Sequence, residues 1–327
     1  MRGDRVLERI LAPIQADLDH PQVTDICVNK PQWVWIRKAG VWEHRHIPSF
    51  DFDTLDAATI LIGQRLGREF DEANPYVNST LPGRQRFQGV RPPGTLDNYF
   101  LWAIRRPPTK ARTVYDDDFE SLFDEIEEVS SQRRKKVTEE VIRARREKRW
   151  TDCFVGARIA GLAIGFCGST GSGKTDMARR MIQVGRNVRT VTIETDDEYG
   201  EAGPENKAPI IYDESQITAD EAVRVAKRLI PVEIFFQEIR GEEAYSLVTC
   251  LNSGHSGCTS WHANEGLELE ALAEMYRMHR SGRTIEEGRL MAKLRSAFDI
   301  IVYCEFDGKR HRVSSVRLMA EEEEVAR

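Results

Sequence analysis

Eight residues in the middle of the chain have the spacing of a phosphate-binding loop. They spell G-S-T-G-S-G-K-T, the complete G-x-x-x-x-G-K-T pattern, between an apolar run and a helical pattern. The glycines let backbone N–H groups curl around a phosphate, the lysine adds a positive charge, and the threonine hydroxyl can bind Mg²⁺. The sequence therefore predicts a site for Mg-ATP. Its residues are Gly168, Ser169, Thr170, Gly171, Ser172, Gly173, Lys174 and Thr175.

Two glutamates end predicted strands downstream of this loop. Glu194 closes the run Arg189–Glu194, and Glu238 closes the apolar run Glu233–Glu238. In an open parallel sheet the carboxyl ends of the strands face the ligand. We therefore predict that Glu194 orients or deprotonates the attacking water, and that Glu238 holds Mg²⁺ together with Thr175. A merely solvated acidic loop is the alternative for Glu194 and the acidic residues after it.

Two histidines flank another short predicted strand, Cys258–Trp261. His255 precedes this strand and His262 follows it. Neither has a cysteine or a carboxylate at metal-ligand spacing, which argues against a zinc site. A histidine at the ligand edge of the sheet can donate to the γ-phosphate and respond to its loss. We therefore predict that His255 binds the nucleotide and His262 takes part in catalysis, the alternative being purely structural histidines.

The composition is that of an ordinary globular protein. The 327 residues carry a formal net charge of −6, so neither a polyphosphate-tracking surface nor sequence-specific nucleic-acid binding is expected. The six cysteines are scattered without a C-x-x-C pair, which indicates reduced, buried thiols of a cytosolic protein. No apolar run approaches the ~20 residues needed to span a bilayer, so any membrane contact is expected to be peripheral.

Three parts follow one another along the chain. Residues 1–108 show helix and antiparallel-strand patterns and are predicted to form an α+β N-terminal domain. Residues 109–150 carry an acidic block and then a basic block. They are predicted to be a charged helical linker, the alternative being a basic block that contacts anionic lipid or nucleic acid. Residues 151–327 alternate strands and helices, which predicts an α/β domain with a mostly parallel sheet.

Short motifs along the chain resemble, in the same order, those of the secretion ATPases that power type IV secretion and conjugation. These belong to the wider family of type II secretion and type IV pilus motors. Thr192–Glu198 resembles the acidic box of this family, Pro231–Glu243 its metal-binding strand, and His255–Asn264 its histidine box. Further matches in the N-terminal part are Asp25–Asn29 with Pro31, Leu81–Gly83 with Arg86, Arg91–Pro93 and Ile104–Pro107.

This resemblance implies a RecA-like ATPase domain at the C-terminal end and a homohexameric ring. It also implies that nucleotide lies between the two domains and that Arg86 and Arg105 reach its phosphates from the N-terminal domain. A surface ion pair is the alternative for each arginine. The implied motor is cytoplasmic and peripheral to the inner membrane, where it passes force to an inner-membrane secretion channel and its coupling components.

Four residues depart from the family pattern. Asp176 stands where the family usually has a hydroxyl residue, and Thr195 where an acidic residue commonly follows the box glutamate. Val232 and Gln237 replace a usual Asp and Gly around the metal strand. The alternative functions are a type IV pilus or type II secretion motor and a weakly active nucleotide-binding ring scaffold. A DNA helicase is disfavoured, because no aromatic and basic strand-tracking surface is evident.

Overall fold

The computed structural model describes residues 2–107, 139–184, 187–215 and 217–321, which form two sheets. The elements of the N-terminal part are α1 (Arg2–Leu11), a 3₁₀ turn (Ala12–Ile14), α2 (Gln15–Asp19), β1 (Val23–Val28), β2 (Trp33–Lys38), β3 (Val41–His46), α3 (Phe52–Gln64), β4 (Tyr76–Thr80), β5 (Arg86–Val90) and β6 (Leu101–Arg105). The six strands pair antiparallel in the order β3-β2-β1-β6-β5-β4.

Local signals begin and end several of these elements. The Asp51 side chain caps α3, because it accepts a hydrogen bond from the Thr54 backbone N–H at 2.8 Å. Ala39 and Gly40 both have positive φ and make the two-residue turn between β2 and β3.

The two faces of the N-terminal sheet bury different partners. One face packs on the domain's own helices, which supply Leu7, Leu11, Ile14, Leu18, Leu55, Ala58 and Ile62. The other face joins a core that continues into the C-terminal part, with Cys27, Trp35, Val90, Tyr99, Leu101 and Ala103. The central strands β1 and β6 therefore alternate between two buried environments, whereas the edge strand β3 is largely exposed.

The second sheet lies in the C-terminal part. Its elements are α4 (residues 139–146), α5 (Trp150–Ala160), β7 (Ala163–Cys167), α6 (Lys174–Ile182), β8 (Thr190–Glu194), β9 (Lys207–Ile211), α7 (Ala219–Ala226), β10 (Glu233–Ile239), α8 (Glu243–Leu251), β11 (Ser256–Trp261), α9 (Glu268–Met278), α10 (Glu287–Ala297), β12 (Ile300–Phe306) and β13 (His311–Leu318). The strand order is β13-β12-β7-β11-β10-β8-β9, with every pair parallel except β12 with β13.

Helices cover both faces of this sheet. Helices α5 and α6 pack on one face and α7 to α10 on the other. All five residues of β7 are buried, as expected for a central parallel strand. No strand is predicted from the sequence at β9, which contains Pro209. The structure places β9 at the end of the sheet, which is where a proline is tolerated.

The two parts of the chain meet through polar as well as apolar contacts. Arg189, which is fully buried, donates to the side-chain oxygens of Asn29 and Asn206, each at 2.8 Å. The Ile211 backbone N–H at the edge strand β9 donates to the Gly94 carbonyl at 3.1 Å. A loop of the N-terminal domain therefore covers the open edge of the C-terminal sheet.

The predicted fold class is confirmed: an antiparallel N-terminal sheet domain precedes a C-terminal domain with a mostly parallel sheet. The predicted linker, residues 109–150, falls largely outside the described residues, so the three-part division stays a prediction. Within the described ranges, no helix has the length and apolarity required to cross a bilayer.

Candidate active site

The phosphate-binding loop lies at the carboxyl edge of the C-terminal sheet. It joins β7 to α6, and the register places the last residue of β7, Cys167, beside Trp261 at the end of β11. Trp261 in turn pairs with Ile239 at the end of β10. The ends of β7, β11 and β10 therefore meet at the loop, as the parallel pattern predicts.

The backbone of the loop requires glycine at two positions in particular. Gly168 has φ +144°, and a Cβ there would come within 2.1 Å of the Cys304 carbonyl oxygen on β12. Gly173 has φ +94° and directly precedes Lys174, the first residue of α6. The loop therefore opens the N-terminus of α6 toward a bound anion, which the helix dipole favours.

Lys174 is held at the mouth of the loop. Its Nζ donates to the carbonyl oxygens of Gly168 and Ser169 at 3.0 and 2.9 Å. Burial lowers the pKa of Lys174, and the negative charge of Glu238 acts in the opposite direction. The ammonium group is thus positioned by backbone oxygens that a phosphate oxygen can replace.

Glu238 and His262 come together beside this lysine. His262 Nε2 lies 3.2 Å from Glu238 Oε1, and His262 Nδ1 lies 3.4 Å from Lys174 Nζ. Arg240 Nε donates to the other oxygen of Glu238 at 2.7 Å. The structure therefore brings together three residues predicted from the sequence, and Arg240 joins them although no site role is predicted for it.

Glu194 occupies a different environment. It is 1% exposed, and its Oε2 accepts a hydrogen bond from the Tyr199 backbone N–H at 2.9 Å. Burial raises the pKa of this carboxyl group. Its strand, β8, is separated from the loop strand β7 by β11 and β10. The carboxylate organises the loop that follows β8, and none of its described hydrogen bonds involves the phosphate-binding loop.

Two of the departures from the family pattern contact each other. The Gln237 side-chain oxygen accepts hydrogen bonds from the Thr195 backbone N–H at 2.7 Å and from the Thr195 hydroxyl at 3.2 Å. This contact ties the acidic segment after β8 to the end of β10. The sequence contains no local signal for it, because the two residues are 42 positions apart.

His255 lies away from the loop in this chain. It directly precedes β11, at the amino edge of the sheet, whereas His262 follows β11 at the carboxyl edge. Six strand residues separate the two edges by about 20 Å. The His255 ring lies 3.2 Å from the Cys250 carbonyl oxygen, and burial lowers its pKa. A parallel strand thus separates the two histidines that flank it, and the structure does not bring His255 to the phosphate-binding loop.

Arg86 and Arg105 also lie away from the loop of their own chain. They face each other across β5 and β6, and Arg105 Nε donates to the buried Asp25 carboxylate at 2.8 Å. Both line a cavity of about 190 Å³ together with Lys227 and Arg228. These last two residues directly follow α7, in the segment that leads to the start of β10, which places the cavity at the amino edge of the sheet. The exposed half of Arg105 therefore points away from the loop that precedes α6.

The chain is similar in sequence to proteins of secretion systems. Residues 156–303 match the sequence profile of the family described as "Type II/IV secretion system protein". The chain is 28% identical over 322 residues to the type IV secretion system protein VirB11 of Brucella suis, covering 94% of this chain and 88% of the relative. It is also 28% identical over 315 residues to PtlH of Bordetella pertussis, covering 91% of each.

A solved structure extends the likeness to three dimensions. The crystal structure of the VirB11 ATPase from the Brucella suis type IV secretion system, in complex with sulphate, superposes with a TM-score of 0.90 at 26% identity. The match covers 99% of this chain and 97% of the other. The fold is therefore that of the VirB11 ATPase, and residues 156–303 have the sequence pattern of the type II/IV secretion proteins. Over nearly its whole length the chain is similar to the VirB11-type type IV secretion ATPases.

Proposed function

We propose that this chain is a Mg-ATP-driven motor of a type IV secretion or conjugation machine. It works as a homohexameric ring in the cytoplasm, peripheral to the inner membrane, and passes force to an inner-membrane channel and its coupling components. The observation that carries this proposal is the contact of Lys174, His262 and Glu238 at the mouth of the phosphate-binding loop. A scaffold that only binds nucleotide has no need for this chain of charged contacts.

The loop residues 168–175 bind the phosphates of ATP. Ser172 supports this assignment, because its hydroxyl is buried and has no hydrogen-bond partner among the described residues. Lys174 exchanges its carbonyl contacts for phosphate oxygens, which are the stronger acceptors because they are charged.

Thr175 and Glu238 fit Mg²⁺. A hydroxyl and a carboxylate are the hard oxygen ligands that this ion takes, and it needs only one or two from the protein when phosphates and waters supply the rest. When bound, Mg²⁺ neutralises charge on the phosphates.

His262 couples the state of the phosphates to Glu238. Its two ring nitrogens face Lys174 on one side and Glu238 on the other, so a shift of the lysine toward a phosphate changes both contacts. We assign the attacking water to Glu194, from the acidic box, once the site is closed by a neighbouring subunit.

A neighbouring subunit is also needed for Arg86 and Arg105. In one chain these arginines lie at the amino edge of the sheet, so they reach phosphates only at the loop of another copy in the ring. A guanidinium there binds two phosphate oxygens at once and links their loss to domain movement. His255, at the same edge, contributes to nucleotide binding only in the same way.

The test is ATP turnover by the full chain. Lys174→Ala should lose ATP binding and phosphate release while its thermal unfolding stays close to that of the wild type. Lys293→Ala, on α10 and packed over Tyr245 and Tyr276, is the matched control and should keep turnover. If wild-type turnover equals that of Lys174→Ala, the protein is a scaffold and not a motor.

A further inference from the structure

The β12–β13 hairpin runs alongside the phosphate-binding loop. Strand β12 pairs parallel with β7, so that Tyr303 lies opposite Cys167, the last residue before the loop. Strand β12 then continues through Phe306, three residues beyond this point. Its Cys304 carbonyl lies directly against Gly168. The tip of the hairpin is therefore a wall of the nucleotide site.

The ring of His311, at the start of β13, touches the loop. A Cβ built on Gly173 would come within 3.3 Å of both the Cγ and the Nδ1 atoms of this imidazole. Gly173 immediately precedes Lys174, so the ring sits beside the last turn of the loop. The chain thus places an aromatic side chain within van der Waals distance of the phosphate-binding backbone.

Phe306 adds a second ring. It pairs with His311 across the hairpin, and the two ring centroids lie 5.1 Å apart with an angle of 44° between the planes. The Phe306 residue is 51% exposed. The Asp307 carboxylate fixes the turn between them by accepting from the backbone N–H groups of Lys309 and Arg310 at 2.9 and 3.0 Å. The two rings are therefore held in place although they face solvent.

The position of the reactive phosphate determines which side of the loop the base occupies. Strands β11 and β12 flank β7 on opposite sides. Lys174, His262 and Glu238 meet on the β11 side, so the γ-phosphate lies there. Because a triphosphate is a linear chain, the nucleoside end leaves the loop on the opposite side, toward β12 and the hairpin.

We propose that Phe306 and His311 form an aromatic platform on which the purine base of ATP stacks. The platform rests on the proposed nucleotide site and adds what the loop cannot supply, since the loop recognises phosphates alone. The faces of aromatic rings bind bases by stacking without base-specific hydrogen bonds, so the platform favours any purine nucleotide over a bare polyphosphate.

The experiment separates the base from the phosphates. Dissociation constants of a non-hydrolysable ATP analogue and of inorganic tripolyphosphate, both with Mg²⁺, are measured for Phe306→Ala, His311→Ala and the wild type. Removal of either ring should weaken binding of the ATP analogue by about tenfold and leave binding of tripolyphosphate unchanged. Arg310→Ala, on the same turn, is the matched control and should change neither. Phe306→Trp should restore wild-type binding of the analogue.

Two results would overturn the platform. An equal loss of affinity for both ligands would mean that the hairpin acts by shaping the loop. No loss for the analogue would place the base elsewhere, such as against a neighbouring subunit. Lys174→Ala distinguishes failure of the nucleotide site from failure of the platform, because this variant should weaken binding of both ligands. If tripolyphosphate binds too weakly to titrate, the steady-state parameters decide: loss of the platform raises KM for ATP and leaves kcat unchanged.

Discussion

Glu194 and Glu238 are both carboxylates at the ends of parallel strands, yet their surroundings differ. Glu238 contacts a histidine and an arginine beside the loop lysine, whereas Glu194 is buried and accepts a backbone hydrogen bond from Tyr199. At this scale the residue type does not decide the role. The first carboxylate belongs to the charged cluster beside the loop, and the second is enclosed by the segment that follows β8.

The two glutamates should respond differently to substitution by glutamine. Glu238→Gln should lower Mg²⁺-dependent turnover by about a hundredfold or more. Arg240→Gln changes a residue that contacts the same carboxylate from its exposed side, and it should lower turnover far less.

Glu194→Gln should keep ATP binding and lose hydrolysis. It should also unfold at a higher temperature than the wild type at neutral pH, because it removes the cost of burying a charge.

The pH dependence of this stability difference follows from the raised pKa of Glu194. Between the pKa of an unfolded glutamate, near 4.5, and the higher folded value, the folded state binds more protons than the unfolded state. The unfolding free energy of the wild type therefore contains a contribution that is lost as pH rises through this range. The gain in unfolding free energy of Glu194→Gln over the wild type should therefore grow as pH rises through this range and shrink below the range. A pH-independent difference in thermal unfolding would contradict this.

At the scale of elements, the contact between Gln237 and Thr195 connects the acidic segment to the metal strand. Each residue is expected from the sequence to depart from the family pattern, and the structure shows that the two residues are neighbours. The amide side chain spans the distance that a glycine at position 237 would leave open. We infer that the pair keeps the backbone after Glu194 in register with the end of β10.

A double-mutant cycle measures this connection. Thr195→Val and Gln237→Met each remove hydrogen bonds, and each should lower the unfolding free energy by about 1 kcal/mol. Because they share a contact, the double variant should lose less than the sum of the two. Chemical denaturation gives all four values. Thr259→Val, on β11, is the control: its buried hydroxyl has no partner among the described residues, so its loss should not destabilise. Strict additivity of the first pair would refute the coupling.

At the scale of the whole molecule, the chain separates the arginines from its own phosphate-binding loop. The polar contacts of Arg189 with Asn29 and Asn206, and the shared apolar core, hold the N-terminal sheet over β9 and the amino edge of the C-terminal sheet. A ring built head to tail presents the surface of one copy to the loop of the next. In the ring that we propose, the complete site therefore forms between two copies.

Mixing two inactive variants tests this composite site. Lys174→Ala disables the loop, and Arg105→Ala removes the guanidinium group. Each variant alone should therefore form rings without turnover. If the arginine acts on a neighbour, mixed rings contain interfaces with both residues intact, and part of the wild-type activity should return. Phosphate release and the mass of the rings in solution are the measurements. Inactive mixtures that still form hexamers would place both residues in one chain's site.

Much of the active site could be predicted from the sequence, because its chemistry is encoded over short distances. Eight consecutive residues define the phosphate-binding loop. An apolar run that ends in a carboxylate predicts that Glu238 lies at the ligand edge of the sheet. The end of β11 likewise predicts that His262 lies at the loop. These predictions depend on which end of a parallel strand faces the ligand, a property that the alternation of strands and helices already determines.

Only the tertiary structure decided what depends on strand order and pairing. The order β13-β12-β7-β11-β10-β8 puts His311 beside Gly173 and Gln237 beside Thr195, and no local pattern encodes it. The same order places two strands, β11 and β10, between β8 and the loop strand β7. The way in which the N-terminal sheet docks puts Arg105 at the far edge. Residues distant in sequence come together through long-range pairing and burial, and a short motif contains no information about either.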